Sequence, residues 1–415
     1  MTSANIGNSV KEIGEFAFEG CAELRSVSID SKLLSTLGYQ AFIYCDKVEK
    51  FNVPDIGVWC KIRCDILSNR AGCRLYLHGE EIQGDIVIPD NIEWIGRYAF
   101  YDCDKITSVT IPNSVKTIDD WAFADCDNLK RVNISDIAAW CMISFWSYPL
   151  TNVGCKLYLN GEEISGDIVI PDNVTKIPDF AFDCCQEITS VTIPGSVTSI
   201  GSCSFSCCVK MAEINIPNSV TSIGSQAFYN CESLTKLEIP NTITSIENGT
   251  FYGCFGLKRI NIPNSVTSIG WNAFACCTGV VSVTIPNSVT TIMDEAFATC
   301  SDLKEVDYDT TVPLVANANI FDDSTYKQAT LYVAKGGMEN ARSTEPWRNF
   351  SNIQERDFAN HPEITVDKTE ESIDFNKPYD VYNAGGVKMG NSIDNQPAGI
   401  YILNQDGISH KFIVK

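Results

Sequence analysis

The chain has 415 residues, 44% hydrophobic and 20% charged, and its 52 acidic against 31 basic side chains give a formal net charge of −21. That balance argues against nucleic acid and anionic lipid as partners, since phosphate contacts need clustered Lys and Arg. No run approaches the roughly 18 apolar residues of a membrane-spanning helix, and no basic-then-apolar secretory signal opens the chain.

The opening residues, "MTSANIGNSVKEIGEFAF", enter in the middle of a repeat, without the strand that should precede "GNSV". A stack of repeats normally carries a polar cap at its end. The expectation is therefore that the native protein starts earlier, or else that the first turn is frayed.

From there the chain is periodic. "IPNSVTSIG" occurs unchanged at Ile216–Gly224 and Ile262–Gly270, and Pro171, Pro194, Pro217, Pro240, Pro263 and Pro286 follow one another at 23 residues. The unit reads L-x-x-V-x-I-P-x-S-V-x-x-I-G-x-x-A-F-x-x-C. Ten copies of its end close at Cys21, Cys45, Cys103, Cys126, Cys185, Cys208, Cys231, Cys254, Cys277 and Cys300. Each slot has a physical role. Val283-Thr284-Ile285 is a short strand with one face inward. Pro286 stops it, and Asn287-Ser288 make the turn. Val289 and Ile292 return to the core, and Ala296-Phe297 fill it from the far side. Each coil leaves an apolar face that only its neighbours can cover, so stacking is what stabilises it.

This unit, from about Ile6 to Tyr308, resembles the BspA-like branch of leucine-rich repeat proteins, found on the surfaces of host-associated bacteria. The resemblance implies an α/β-type, strand-dominated solenoid, a right-handed leucine-rich repeat stack over residues 1–308 with two hairpin-bearing longer repeats. It also implies a bacterial surface protein that serves adhesion; a monomer is expected.

The two longer repeats lie between Pro54 and Pro89 and between Ser135 and Pro171, spaced by 35 and 36 residues. Both carry "LYL" followed by "GEEI", a hairpin turning at Asn160-Gly161 in the second copy. Trp59 and Trp140 hold the same place and are expected to anchor each insert to the stack.

The 19 cysteines suggest disulfides or metal. Cys60, Cys64, Cys73 and His78 can be imagined around zinc, but the second insert has Phe145 and Asn160 where the first has Cys64 and His78, so no metal site is assigned. The repeat cysteines read as small buried fillers between coils, and parallel Cβ vectors disfavour bridges between them. The vicinal pairs Cys184-Cys185, Cys207-Cys208 and Cys276-Cys277 leave a Cys184–Cys207 bridge open.

Catalysis finds no foothold. The three histidines, His78, His361 and His410, sit in no motif that supplies a nucleophile and an orienting carboxylate. No phosphate loop, dinucleotide fingerprint or HExxH is present, and no cofactor is expected.

What remains is surface. On each strand the residues flanking the inward Val face solvent, giving a candidate binding face of Ser108, Thr110, Arg131, Asn133, Ser190, Thr192, Glu213, Asn215, Lys236, Glu238, Arg259, Asn261, Ser282 and Thr284. A host extracellular protein, a glycan or another cell's surface protein would be its partner. The alternative is a polar face that only keeps a passive spacer soluble. Trp121 and Trp271 fall outside the core slots, either packed or free to stack on a ligand.

Beyond Cys300 the register dissolves. Residues 309–357 read as a closing cap with Trp347 and Phe350 over the last coil, 358–375 as a linker, and 376–415 as a small β domain. That last part resembles a type IX secretion sorting domain of Bacteroidetes in Val381-Tyr382-Asn383, Gly385-Gly386-Val387, Pro397-Ala398-Gly399-Ile400-Tyr401 and its basic end. The match is shorter than a full sorting domain; it implies passage across an outer membrane to a secreted or cell-surface location, the alternative being a small β module that only caps the chain.

Overall fold

The computed structural model describes residues 1–61, 73–146 and 155–358, and the backbone of the strands Ile364–Val366, Asp380–Asn383, Lys388–Gly390, Gly399–Gln405 and Ile408–Val414. Cys64 and His361 lie outside the described residues.

Each 23-residue unit is one coil with three sides. The first is the strand that carries the V-x-I pattern; Ser282–Ile285, for example, alternates half-buried and buried. It pairs in parallel with Arg259–Asn261 before it and Glu305–Tyr308 after it, Val283 opposite Ile260 and Val306. The proline then closes a turn, its carbonyl accepting from the valine three residues on, as in Val289 N to Pro286 O at 3.2 Å. Turn chemistry alone does not account for the serine of that turn. Ser114, Ser196 and Ser288 donate to the carbonyl of Ile92, Val174 and Val266 one coil earlier, at 2.7, 2.8 and 2.8 Å. The serine joins coils as well as shaping one.

The second side is a two-residue strand, such as Ser268–Ile269, paired in parallel with Ser245–Ile246 and Thr291–Ile292. The third is a tight bend that places two residues in the left-handed region, for instance Glu295 at φ 60° and Thr299 at φ 58°. Non-glycine residues adopt that region at a cost of roughly 1–2 kcal/mol each, which inter-coil bonds such as Phe274 N to Ala296 O at 2.8 Å help to offset.

Between those two residues sits the Ala-Phe pair, and the rings form columns. Phe182, Phe205, Phe228, Phe251, Phe274, Phe297 and Phe321 stack in sequence with centroids 5.3–5.7 Å apart. The column breaks at the two inserts, and there a tryptophan takes over. Trp59 and Trp140 are both buried, each on a one-turn helix, Ile56–Cys60 and Ile137–Cys141, capped by Asp55 and Asp136. Each indole N–H donates to a backbone carbonyl of the next coil, Ala99 O for Trp59 and Ala181 O at 2.8 Å for Trp140. These tryptophans anchor the inserts.

Three differences from the sequence reading stand out. The first coil has its strand: Ser3–Ile6 pairs with Ser26–Ile29 in register, Ala4 opposite Val27. "SANI" lacks the β-branched residue of the repeat's first inward slot, yet Ala4 and Ile6 point inward and are buried. Second, the segment read as a cap extends the stack with two irregular coils. Thr330–Ala334 pairs in parallel with Glu305–Tyr308, and Asn352–Arg356 pairs with Thr330–Ala334. Trp347 is buried against Tyr308, centroids 4.6 Å apart. Third, the stretch read as a linker contributes the strand Ile364–Val366, antiparallel to Ile408–Val414 in a five-stranded C-terminal sheet. Its Ile-Thr-Val run has the composition of a strand.

Candidate functional site

Along the outward row of the long strands, polar side chains meet both across coils and along a single strand. Asn52 donates to Ser28 at 3.1 Å, and Arg131 donates to Asn133 at 2.9 Å. Lys236 pairs with Glu238 at 3.1 Å. Of the face residues named from sequence, Thr192, Glu213, Asn215, Lys236, Glu238, Arg259 and Asn261 are exposed, and Thr110, Arg131, Asn133, Ser190, Ser282 and Thr284 are half-buried.

Ser108 departs from that expectation. It is buried, and Asp85 of the preceding strand accepts from Ser108 at 2.6 Å and from Thr107 at 3.1 Å. Asp167 accepts from Ser190 at 2.7 Å and Thr189 at 2.9 Å in the same place after the second insert. The serine and threonine hydroxyls hold both carboxyls below the usual carboxylate range. Strand alternation within one coil carries no sign of a neighbour reaching across.

The inserts reshape this face. Lys156–Leu159 adds a strand beside Arg131–Ile134 and turns back through Asn160-Gly161 to Glu162–Glu163. Arg74–Leu77 does the same beside Lys50–Val53 through His78-Gly79. All four turn residues have positive φ, 53° and 88° in one hairpin and 54° and 87° in the other, the geometry of a type I′ turn, which glycine in second place accommodates without strain. The hairpins are tied down to the strands: Gly79 N donates to Asn52 Oδ1 at 2.7 Å, and Arg131 donates to Gly161 O at 2.9 Å.

Each hairpin bounds an open depression in the strand face. One of about 620 Å³ is lined by Thr110, Asn113, Asn133, Ser135, Asn160 and Gly161 among others. The other, of about 230 Å³, is lined by Asn5, Ser28, Lys50, Asn52, Tyr76 and Gly79 among others. Both inserts carry a cation over an aromatic ring: Lys50 stands 5.2 Å from the centroid of Tyr76 within the smaller depression, and Arg131 stands 3.9 Å from that of Tyr158, on the strands next to the larger one rather than in its lining. A third such pair, Arg356 over Tyr332 at 3.5 Å, lies on the last strands, where Arg356 also pairs with Asp307. Sequence reading missed Tyr76, Tyr158 and Tyr332. The signal was there, since "RLYL", "KLYL" and "TLYV" set Tyr in the outward slot of each added strand.

Trp121 and Trp271 are exposed rather than packed. They sit on the third side of the coils, Trp121 in the left-handed position at φ 59°, and so lie away from the strand rows. His78 is exposed at its hairpin tip, and His410 lies in the strand Ile408–Val414.

The repeat thiols have a structural task. Cys208, Cys231, Cys254 and Cys277 donate to the carbonyls of Phe182, Phe205, Phe228 and Phe251, each 26 residues back, at 3.2–3.3 Å. Burial pushes the Cys254 thiol up to about 12, far from the thiolate form that reacts. The rim cysteines differ. Cys184 and Cys207 are half-buried and side by side, and the hydrogen bond between them raises the proton affinity of Cys184 and lowers that of Cys207.

A family model, the BspA type Leucine rich repeat region, matches the chain in six copies over residues 1–61, 79–153, 151–237 and 221–332. Among solved structures, the chain is similar to a leucine rich cell surface protein from Faecalibacterium prausnitzii, with 27% identity, 74% of this chain and 79% of that one covered, and a TM-score of 0.42. It is also similar to a leucine-rich repeat protein from Bacteroides ovatus at 23% identity, with 74% and 91% covered and a TM-score of 0.33. The pneumococcal vaccine antigen PcpA is similar at 16% identity, with 86% and 79% covered and a TM-score of 0.41. A search of curated proteins gave no match.

Proposed function

Since the chain belongs to the BspA type leucine-rich repeat family, we propose that it is a non-enzymatic interaction protein, secreted or displayed on a bacterial surface. Its strand face takes up a host extracellular protein, a glycan or another cell's surface protein. The observation that carries this reading is the pairing of hairpin, depression and cation-backed tyrosine at both inserts. A tyrosine offers a rigid, amphipathic contact area at low entropic cost, and such residues dominate binding energy where they sit in a sheltered place. The C-terminal sheet is proposed as the export signal that its sequence resembles. No helix among the described residues is long and apolar enough to cross a membrane.

The second reading is a passive spacer. What favours it is the ladder of hydrogen bonds along the face, which leaves Ser108 and Ser190 engaged with Asp85 and Asp167.

The two separate in one experiment. The full chain is screened for saturable binding to matrix proteins, cell-surface fractions and a glycan array, alongside Tyr76→Ala/Tyr158→Ala and Lys236→Glu/Arg259→Glu. Binding that weakens by about tenfold or more in the tyrosine variant, the scale of a hot-spot loss, supports capture at the inserts. Binding that only the charge reversal weakens moves the site to the middle strands. No saturable binding to any fraction leaves the spacer.

A further inference from the structure

The residue just before each buried repeat cysteine stands at the rim of the third side, in the left-handed region. Tyr44, Asp125, Asn230 and Thr299 hold this place in their coils. In two successive coils it is cysteine both times, Cys184 at φ 57° and Cys207 at φ 56°. Asp183 precedes the first of them. The two sulfurs and a carboxylate oxygen of Asp183 lie within 4.8 Å of one another, all three residues half-buried, and no other group of three metal-ligating side chains converges this way among the described residues. Cys184 Sγ is 3.7 Å from Asp183 Oδ1, and Ser206 Oγ donates to Cys207 Sγ at 3.7 Å.

Stacking decides which chemistry suits this cluster. Coils about 4.8 Å apart hold the two Cβ atoms side by side at about that distance. A disulfide wants Cβ atoms about 3.8 Å apart and sulfurs at about 2.05 Å, so a bridge would have to draw the coils together against the ring and thiol columns beneath. Two metal–sulfur bonds of about 2.3 Å at a tetrahedral angle separate the sulfurs by about 3.8 Å, a span that falls inside the 4.8 Å within which the three ligand atoms lie. Two thiolates and one carboxylate are also a donor set that a borderline-soft cation accepts.

We propose that Cys184, Cys207 and Asp183 form a site for a thiophilic divalent cation, zinc foremost, which clamps two adjacent coils and keeps its fourth position open to water. Binding replaces the two thiol protons, which leave to solvent, and changes no oxidation state.

The test uses the full reduced chain and Co²⁺ as an optical probe. The expected result is one equivalent with a thiolate charge-transfer band that Zn²⁺ abolishes. The band should vanish in Cys184→Ser/Cys207→Ser and persist in Cys276→Ser, the lone rim cysteine. Asp183→Asn should weaken binding by at least the roughly tenfold that losing even an outer-shell partner costs. Alkylation of the wild-type chain with peptide mapping reports without any variant: Zn²⁺ should shield Cys184 and Cys207 together. The proposal is overturned by a wild-type chain with no such band, by a band that survives the double substitution, or by equal alkylation of both cysteines with and without zinc.

Discussion

Replacing Phe228 by alanine asks whether this body is held by its columns. The ring is buried and lies between Phe205 at 5.7 Å and Phe251 at 5.4 Å, the planes within 2° and 3° of parallel. Removing a phenylalanine from a packed core costs about 3–5 kcal/mol. Two offset ring pairs, each about 0.5–1.5 kcal/mol beyond area, fall within that figure. The cavity cannot close readily, because the backbone on both sides is pinned by Phe228 N to Thr250 O at 2.9 Å and Phe205 N to Ala227 O at 2.9 Å. Urea denaturation measures the total, and hydrogen exchange locates it. The loss should centre on the coils around Phe205 and Phe251 and fade toward Trp140, since each coil touches only its neighbours. Phe16→Ala, at a ring that is 42% exposed, is the control and should stay within about 0.5 kcal/mol. A Phe228→Ala loss below about 1 kcal/mol, or exchange that rises evenly along the chain, would refute the column account.

Trp140→Phe should cost about 1–3 kcal/mol in the same denaturation assay, because it leaves the buried Ala181 carbonyl without its donor; an unchanged midpoint would mean the insert is held otherwise. Iodoacetamide should modify Cys207 before Cys231 or Cys254 in the native chain, as burial raises the latter two thiols, and peptide mapping reads the order. Asp85 and Asp167 give a pH dependence of definite sign. Their folded pKa values lie below the unfolded value of about 3.9. Their contribution is therefore complete above that value and disappears as pH falls through the folded ones. Asp85→Asn/Asp167→Asn should lower Tm near about pH 6, and the gap to wild type should narrow as pH falls below the unfolded value; a gap of constant size down to the acid limit rules out the carboxylates as its source.

The periodic part was legible because every core slot is written many times over. A reader needs only to see that Phe182 and Phe205 are one period apart to infer that they meet. The hairpins were legible too, Asn160-Gly161 being turn chemistry of a strong kind. Legibility failed where a contact depends on a residue's neighbour in the stack rather than on its own slot. Ser108 matches Ser190 and Ser282 by position, yet it is buried while they are half-buried. The strand Ser3–Ile6 was missed because Ala4 holds the inward slot where Val27 stands in the next coil, and the coils ending at Arg356 keep their hydrogen-bond register while changing the spacing of their apolar residues. The candidate face was named as two rows, but the tyrosines that shape it stand on strands the inserts add, outside the repeat's frame.

The identity of Ile216–Gly224 and Ile262–Gly270 has a bearing on how such a body can vary in size. A chain lacking residues 217–262 would join two stretches that already carry the same side chains, and Phe205 would inherit from Phe251 an equivalent neighbour in Phe274. Loss or gain of whole coils therefore asks for no compensating substitution. The reach of this molecule can be lengthened or trimmed in fixed steps, while the inserts, each written once on its own tryptophan, travel as separate fittings.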